Sequence, residues 1–108
     1  MTRWAKELER WRTASGKQNA EEVGALLYRV FGSRVEERKG TSHRYKVNVP
    51  ELRTYKGFEA GFFNVAVSGD QAVKPVYLQN AYRAAKLLEQ LAAEEEIEKQ
   101  GNDDADPG

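Results

Sequence analysis

The apolar side chains of this chain change period once, and that change decides most of what it can fold into. Val23, Leu26, Leu27, Val30 and Phe31 recur at i, i+3, i+4, i+7 and i+8, an unbroken helical face. Beyond Gly32 the repeat shortens to two. His43, Tyr45, Val47 and Val49 alternate with Ser42, Arg44, Lys46 and Asn48, the pattern of a strand covered on one side. The helix is bounded at both ends: Asn19 is placed to cap it, Glu22 stands three residues on as in a capping box, and Gly32 supplies the positive φ that ends helices. Gly24 inside it costs about 1 kcal/mol relative to alanine, which the five apolar anchors outweigh.

The flanking segments extend the pattern. Ser33 to Lys39 reads as a charged strand, Gly40-Thr41 as a turn, and the alternating segment as its antiparallel partner, stopped by Pro50. A long connection over 50–61 leads to a third strand, Phe62 to Val67, followed by a Ser68-Gly69-Asp70 turn. Pro75 suits a first helical position, and Tyr77, Ala81, Ala84, Leu88 and Leu91 form an apolar seam behind it. That helix is expected to continue through Glu94-Glu95-Glu96 and to fray before Gly101, with 101–108 disordered. Near the start, Trp4, Leu8 and Trp11 stripe a short helix that should dock on the body. The order is helix, helix, strand, strand, strand, helix. It implies an α+β two-layer sandwich, a three-stranded antiparallel sheet with helices on one face and the other face free. The segments divide as 1–18, a helix and connector; 19–92, the core; and 93–108, an acidic extension and tail.

Composition narrows the functions. A chain of 108 residues holds one domain. Cysteine is absent, which removes disulfide scaffolds, thiolate zinc sites and thiol nucleophiles, and a single histidine removes multi-histidine metal sites. The apolar runs are too short for a bilayer, and Met1 to Lys6 has no signal-peptide core, so a cytoplasmic protein away from membranes is expected. No phosphate-binding glycine loop and no carboxylate cage is present, so no cofactor and no metal are expected. The net charge of zero conceals a division. Residues 1–88 hold 16 Lys and Arg against 9 Asp and Glu, a surplus of seven, while 89–108 hold Lys99 against 8 acids. Such asymmetry suggests an anionic partner for the basic part, or an acidic tail that screens it.

The cations gather in the hairpin: Arg34, Arg38, Lys39, Arg44 and Lys46, with Arg53 and Lys56 just beyond. If Tyr45, Val47 and Val49 pack under the helices, Ser42, Arg44 and Lys46 form a row on the open sheet face, suited to a phosphate backbone. The plainer alternative is a solvated mixed-charge face, since Glu36 and Glu37 share the hairpin. His43 is the candidate general base, because imidazole ordinarily titrates near neutrality. A base beside phosphate-binding cations suffices to cleave RNA: it takes the 2′-hydroxyl proton, and that oxygen attacks the adjacent phosphorus. Strand parity raises an objection. It puts His43 on the covered side with Tyr45 unless a bulge turns it out. The same parity separates Ser42 from His43 and argues against a serine hydrolase.

The succession Glu21-Glu22-Val23, Leu26-Leu27 and Phe31-Gly32, then Arg38-Lys39-Gly40-Thr41-Ser42-His43-Arg44-Tyr45-Lys46-Val47, resembles the HicA toxin family, as does the lead-in Val73-Lys74-Pro75-Val76-Tyr77-Leu78. The resemblance spans roughly 19–92. It implies a double-stranded-RNA-binding-like fold and a metal-independent mRNA interferase, an endonuclease neutralised by a HicB-like antitoxin. His43 would then be the catalytic residue, with Arg38, Lys39, Ser42, Arg44, Lys46 and Lys74 contacting RNA. The Trp4/Trp11 segment, the long 50–61 connection, the extra residue in Thr41-Ser42 and the acidic tail depart from that family. The alternative is a non-catalytic RNA-binding or protein-interaction module on the same fold.

Overall fold

Asn19 starts the central helix as a cap. Its Oδ1 accepts from the backbone N–H of Glu21 at 2.9 Å and of Glu22 at 3.3 Å, using two of the amides a helix start leaves free. At the other end Gly32 has φ +58° and donates its N–H to the Tyr28 carbonyl. Residues 3–38 and 40–104 are described by this computed structural model, with side chains for 5–38 and 40–96. The elements are α1 (Arg3–Trp11), β1 (Gln18–Asn19), α2 (Ala20–Phe31), β2 (Val35–Glu37), β3 (Tyr45–Asn48), β4 (Phe62–Val65), β5 (Ala72–Val73) and α3 (Pro75–Asp104). Short 3-10 turns at Gly32–Arg34 and Pro50–Leu52 flank the hairpin.

The main sheet is antiparallel in the order β2-β3-β4, with Val35 opposite Val47, Tyr45 opposite Val65 and Val47 opposite Phe63. Those side chains are buried, together with Val23, Leu26, Leu27 and Phe31 of α2 and Leu78, Ala81 and Ala84 of α3. The expected α+β class with a three-stranded antiparallel sheet is therefore present. Gly24 has a structural reason. A Cβ there would lie 2.6 Å from Tyr45 Cζ and closer still to its hydroxyl, so only glycine lets the strand tyrosine slide under the helix. The tyrosine hydroxyl reaches the Ala20 carbonyl at 3.5 Å. The 50–61 connection runs along the surface and sends two anchors into the core. Leu52 and Phe58 are fully buried, and the Phe58 ring stacks edge-on against Phe63 at 5.8 Å.

Three expectations need correction. The hairpin strands are shorter than the alternation implied: β2 ends at Glu37 and β3 begins at Tyr45, which leaves 42–44 outside the strand. A two-stranded ladder, β1 with β5, pairs Gln18 with Val73 and Asn19 with Ala72; a two-residue strand carries no period to read. The last helix does not end before Gly101 but runs to Asp104, so 101–104 are helical, while 105–108 lie outside the described residues. Leu8 and Trp11 belong to the same buried cluster as α2, the docking expected of that stripe, whereas the Trp4 side chain lies outside the described residues. Among the described residues no helix is long and apolar enough to cross a membrane.

The course of α3 also sets the distance between its acidic end and the hairpin loop. The helix begins beside β5, and a cleft lined by Leu88, Leu91, Glu94 and Glu95 is shared with Arg34 and Glu51, at the end of β2 away from the 38–44 loop. At 1.5 Å per residue, Glu94 stands ~28 Å along the axis from Pro75. Glu94 to Glu96 are thus carried away from the hairpin loop.

Candidate nucleic-acid interface

The loop of residues 38–44 is pinned on both sides by backbone hydrogen bonds. Arg38 donates its N–H to the Arg44 carbonyl at 2.6 Å, and Val67 donates to the Ser42 carbonyl at 2.7 Å. Gly40, at φ +82°, makes the reversal, a conformation that a side chain disfavours. Thr41 Oγ1 accepts the His43 N–H at 3.3 Å and so tightens the tip. His43 is exposed. The parity objection lapses because His43 stands two residues ahead of β3 and the alternation of a strand does not reach it. Its ring makes no hydrogen bond to another described residue.

Facing this loop is the turn of residues 68–71. Gln71 donates its N–H to the Ser68 carbonyl at 2.9 Å, Ser68 donates to the Ala72 carbonyl at 2.9 Å, and the Ser68 hydroxyl bonds Asp70. That hydroxyl, and Lys17 at 3.5 Å, hold the Asp70 carboxyl below its usual range. Gln71 has φ +57°, the single positive value at a non-glycine among the described residues. Its carbonyl oxygen accepts the Ala20 N–H at 2.9 Å, which ties the turn to the start of α2.

Between loop and turn lies an open cleft of about 490 Å³. Arg38, Thr41, Ser42 and Arg44 form one wall, and Ser68, Gly69 and Gln71 the other. Arg44 is the best-anchored cation there. Its Nε and Nη2 each lie 3.3 Å from Glu37 Oε2, its Nη1 donates to Gln71 Oε1 at 3.3 Å, and its guanidinium sits 5.4 Å from the Tyr45 ring centre. The Tyr28 hydroxyl donates to the other Glu37 oxygen at 3.4 Å. Burial, and then the Glu37 carboxylate, raise the Tyr28 phenol, which keeps it a donor. Two arginines, three hydroxyls and two glycines around an open space can take an anion: the guanidinium groups match phosphate oxygens, and glycine lets backbone approach closely.

The cationic row expected on the open sheet face does not form. Ser42 belongs to the loop, and Arg44 is held by Glu37 at the end of the hairpin. Lys46 does lie on the open face, but opposite Glu36 and with Nζ 4.5 Å from the centre of the Phe62 ring. The Asn48 amide donates to Glu36 at 2.7 Å and, with Lys46 nearby, lowers that carboxyl. The expected contacts therefore divide. Arg38, Ser42 and Arg44 meet at the cleft, whereas His43, between Ser42 and Arg44 in the chain, is exposed and does not line it. Lys46 faces the open side, Lys74 is exposed just ahead of α3 without lining the cleft, and Lys39 lies outside the described residues. The reading from sequence did not include Thr41, Ser68, Gly69 or Gln71. The Ser-Gly-Asp turn was visible, but its position across from a loop some 25 residues earlier depends on β4 pairing with β3. Among the described residues no three His, Asp or Glu side chains gather as a metal-binding group.

Compared with protein-family models, with curated proteins and with solved structures, the chain finds no match in any of the three.

Proposed function

We propose that this chain is a small RNA-directed endoribonuclease of HicA-like type, which uses His43 as general base. The observation that carries the reading is an exposed imidazole on a pinned loop whose other residues, Arg38, Thr41, Ser42 and Arg44, wall a cleft that His43 itself does not line. The imidazole takes the proton of a ribose 2′-hydroxyl, and the 2′-oxygen attacks the adjacent phosphorus. The bond to the 5′-oxygen breaks, that oxygen takes a proton from water, and the imidazolium returns its proton to the solvent, giving a 2′,3′-cyclic phosphate and a 5′-hydroxyl. Arg38 and Arg44 offset the charge that develops on the phosphoryl oxygens. The succession α2-β2-β3-β4-α3, with helices against one face of the sheet, supports a double-stranded-RNA-binding-like fold for the core. A toxin of this kind would require an inhibitor protein, the HicB-like antitoxin that the sequence resemblance implies.

Purified chain incubated with a long RNA in EDTA tests the reading. Cleavage should disappear in His43→Ala while RNA binding persists. Equal cutting by both proteins, or none by either, refutes the catalytic role. The second reading, a module that binds RNA without cutting it, is favoured by the His43 ring's lack of a described partner to orient it. Salt-sensitive binding of RNA that stays intact would select it.

A further inference from the structure

The cleft does not hold its two cations equally. Arg38 is exposed, whereas Arg44 is engaged by a carboxylate, an amide oxygen and an aromatic face at once. The Arg44 and Glu37 side chains are each 26% exposed, so the pair lies near the surface and not in the core, with Arg44 lining the cleft. Glu37 Oε2 meets both Nε and Nη2, the edge by which a guanidinium grips a phosphate oxygen. Glu37 is itself steadied from behind by the Tyr28 hydroxyl. A carboxylate that fills the phosphate-binding edge of the best-placed arginine is a competitor for any phosphate that enters.

We propose that Glu37 is a built-in stand-in for phosphate: it holds Arg44 in a closed pairing that the phosphodiester of an RNA strand must displace when it enters the cleft. Glu37 is thus a positioning residue that sets the affinity of the site through Arg44. The proposal rests on the reading of the cleft as a phosphate site. It explains why an acidic residue sits among the cations of the hairpin, and it gives the cleft selectivity. An anion that reaches one arginine alone does not recover the lost pair, whereas a phosphodiester that reaches both Arg38 and Arg44 does. When the competent state is only partly populated, apparent affinity falls by that fraction. Removing the competitor should therefore tighten binding, the reverse of what loss of a stabilising ion pair alone would do.

The test is Glu37→Gln, which keeps the shape and removes the charge. Binding of inorganic pyrophosphate is followed through the backbone amides of Ser42 and Gly69, and binding of an uncleavable 2′-O-methyl RNA through fluorescence anisotropy. Both affinities should rise about fivefold, the shift expected for an ion pair of this exposure. The RNA salt dependence should steepen by about one released counterion. Tyr28→Phe should act in the same direction and less strongly. Glu36→Gln, one residue away on the open face, should change either affinity less than twofold, and Glu37→Gln in an Arg44→Ala background should change nothing. Unchanged or weaker binding in a folded Glu37→Gln protein overturns the proposal, as does an equal gain without Arg44. The two claims fail separately. Pyrophosphate tightening with no RNA binding removes RNA and leaves the switch, while RNA binding with no gain removes the switch and leaves RNA.

Discussion

Replacing Gly24 with alanine should destabilise the protein, although alanine is the better helix former. By propensity the change favours the folded state by about 1 kcal/mol. Against this, the new Cβ would stand 2.6 Å from Tyr45 Cζ and 3.1 Å from Cε1, so a buried ring must retreat by roughly an ångström to reach ordinary contact. Overpacking of this kind costs about 1–3 kcal/mol. The retreat also loosens the hydroxyl's bond to the Ala20 carbonyl, a loss of about 1 kcal/mol. The balance is a net loss of about 1–3 kcal/mol, a fall in midpoint of roughly 5–15 °C for a domain of this size. Thermal unfolding followed by circular dichroism reads it directly. Tyr45→Phe in the same background removes the nearest clashing atom and should recover at least ~0.5 kcal/mol relative to the sum of the single changes. Because Arg44 rests on the Tyr45 ring, Gly24→Ala should also perturb the amides of the 38–44 loop. A Gly24→Ala protein that melts higher than the wild type would refute the close approach of α2 to β3, and with it the placement of the loop.

Three further outcomes follow from the packing and the charges. Phe58→Ala should cost about 3–4 kcal/mol in urea unfolding, because the ring is fully buried against Phe63 and capped by the Arg83 guanidinium at 5.0 Å; a loss below ~1 kcal/mol would contradict Phe58 as a core anchor of the 50–61 connection. The Arg34 hydrogen bonds, 2.8 Å for Nη1 to Glu51 Oε1, hold the Glu51 carboxyl below its usual range. A depressed folded pKa adds stability above the unfolded value, near ~4.3 for glutamate, and loses it as pH falls through the folded value. The pair is partly exposed, so it is worth at most ~1 kcal/mol, and Arg34→Ala should flatten the acid limb of the stability profile by no more than that. Deletion of residues 93–108 should leave RNA affinity unchanged, since α3 carries Glu94 to Glu96 away from the cleft; tighter binding by the truncated protein would mean that the acidic stretch competes for the site.

Much of this fold can be read from sequence because the relevant physics is local. Asn19 and Gly32 bound α2 through their own backbone neighbours, Tyr45 and Val47 declare a covered strand face, and Pro75 begins α3. What the sequence concealed depends on contacts far apart along the chain. Gly24 looks like a local weakness until Tyr45 is seen against it. Gln71 takes its positive φ at a turn whose carbonyl caps a helix start some fifty residues earlier. The alternation that ran through His43 and Arg44 promised strand geometry. Yet the hairpin opens after Glu37 and Arg44 turns to that carboxylate, so parity no longer dictates where either side chain goes. The cleft follows the same logic: each wall is visible as a turn, and only strand pairing brings the two together.

The central claim, that His43 directs a ribose hydroxyl against its own phosphate, is tested most directly by the ends of the cut RNA. With EDTA present, an all-ribose substrate should yield 2′,3′-cyclic phosphate and 5′-hydroxyl termini, and the same sequence with 2′-deoxy sugars should be bound and left whole. Cleavage of the deoxy substrate, or 5′-phosphate termini from the ribose one, would contradict the account.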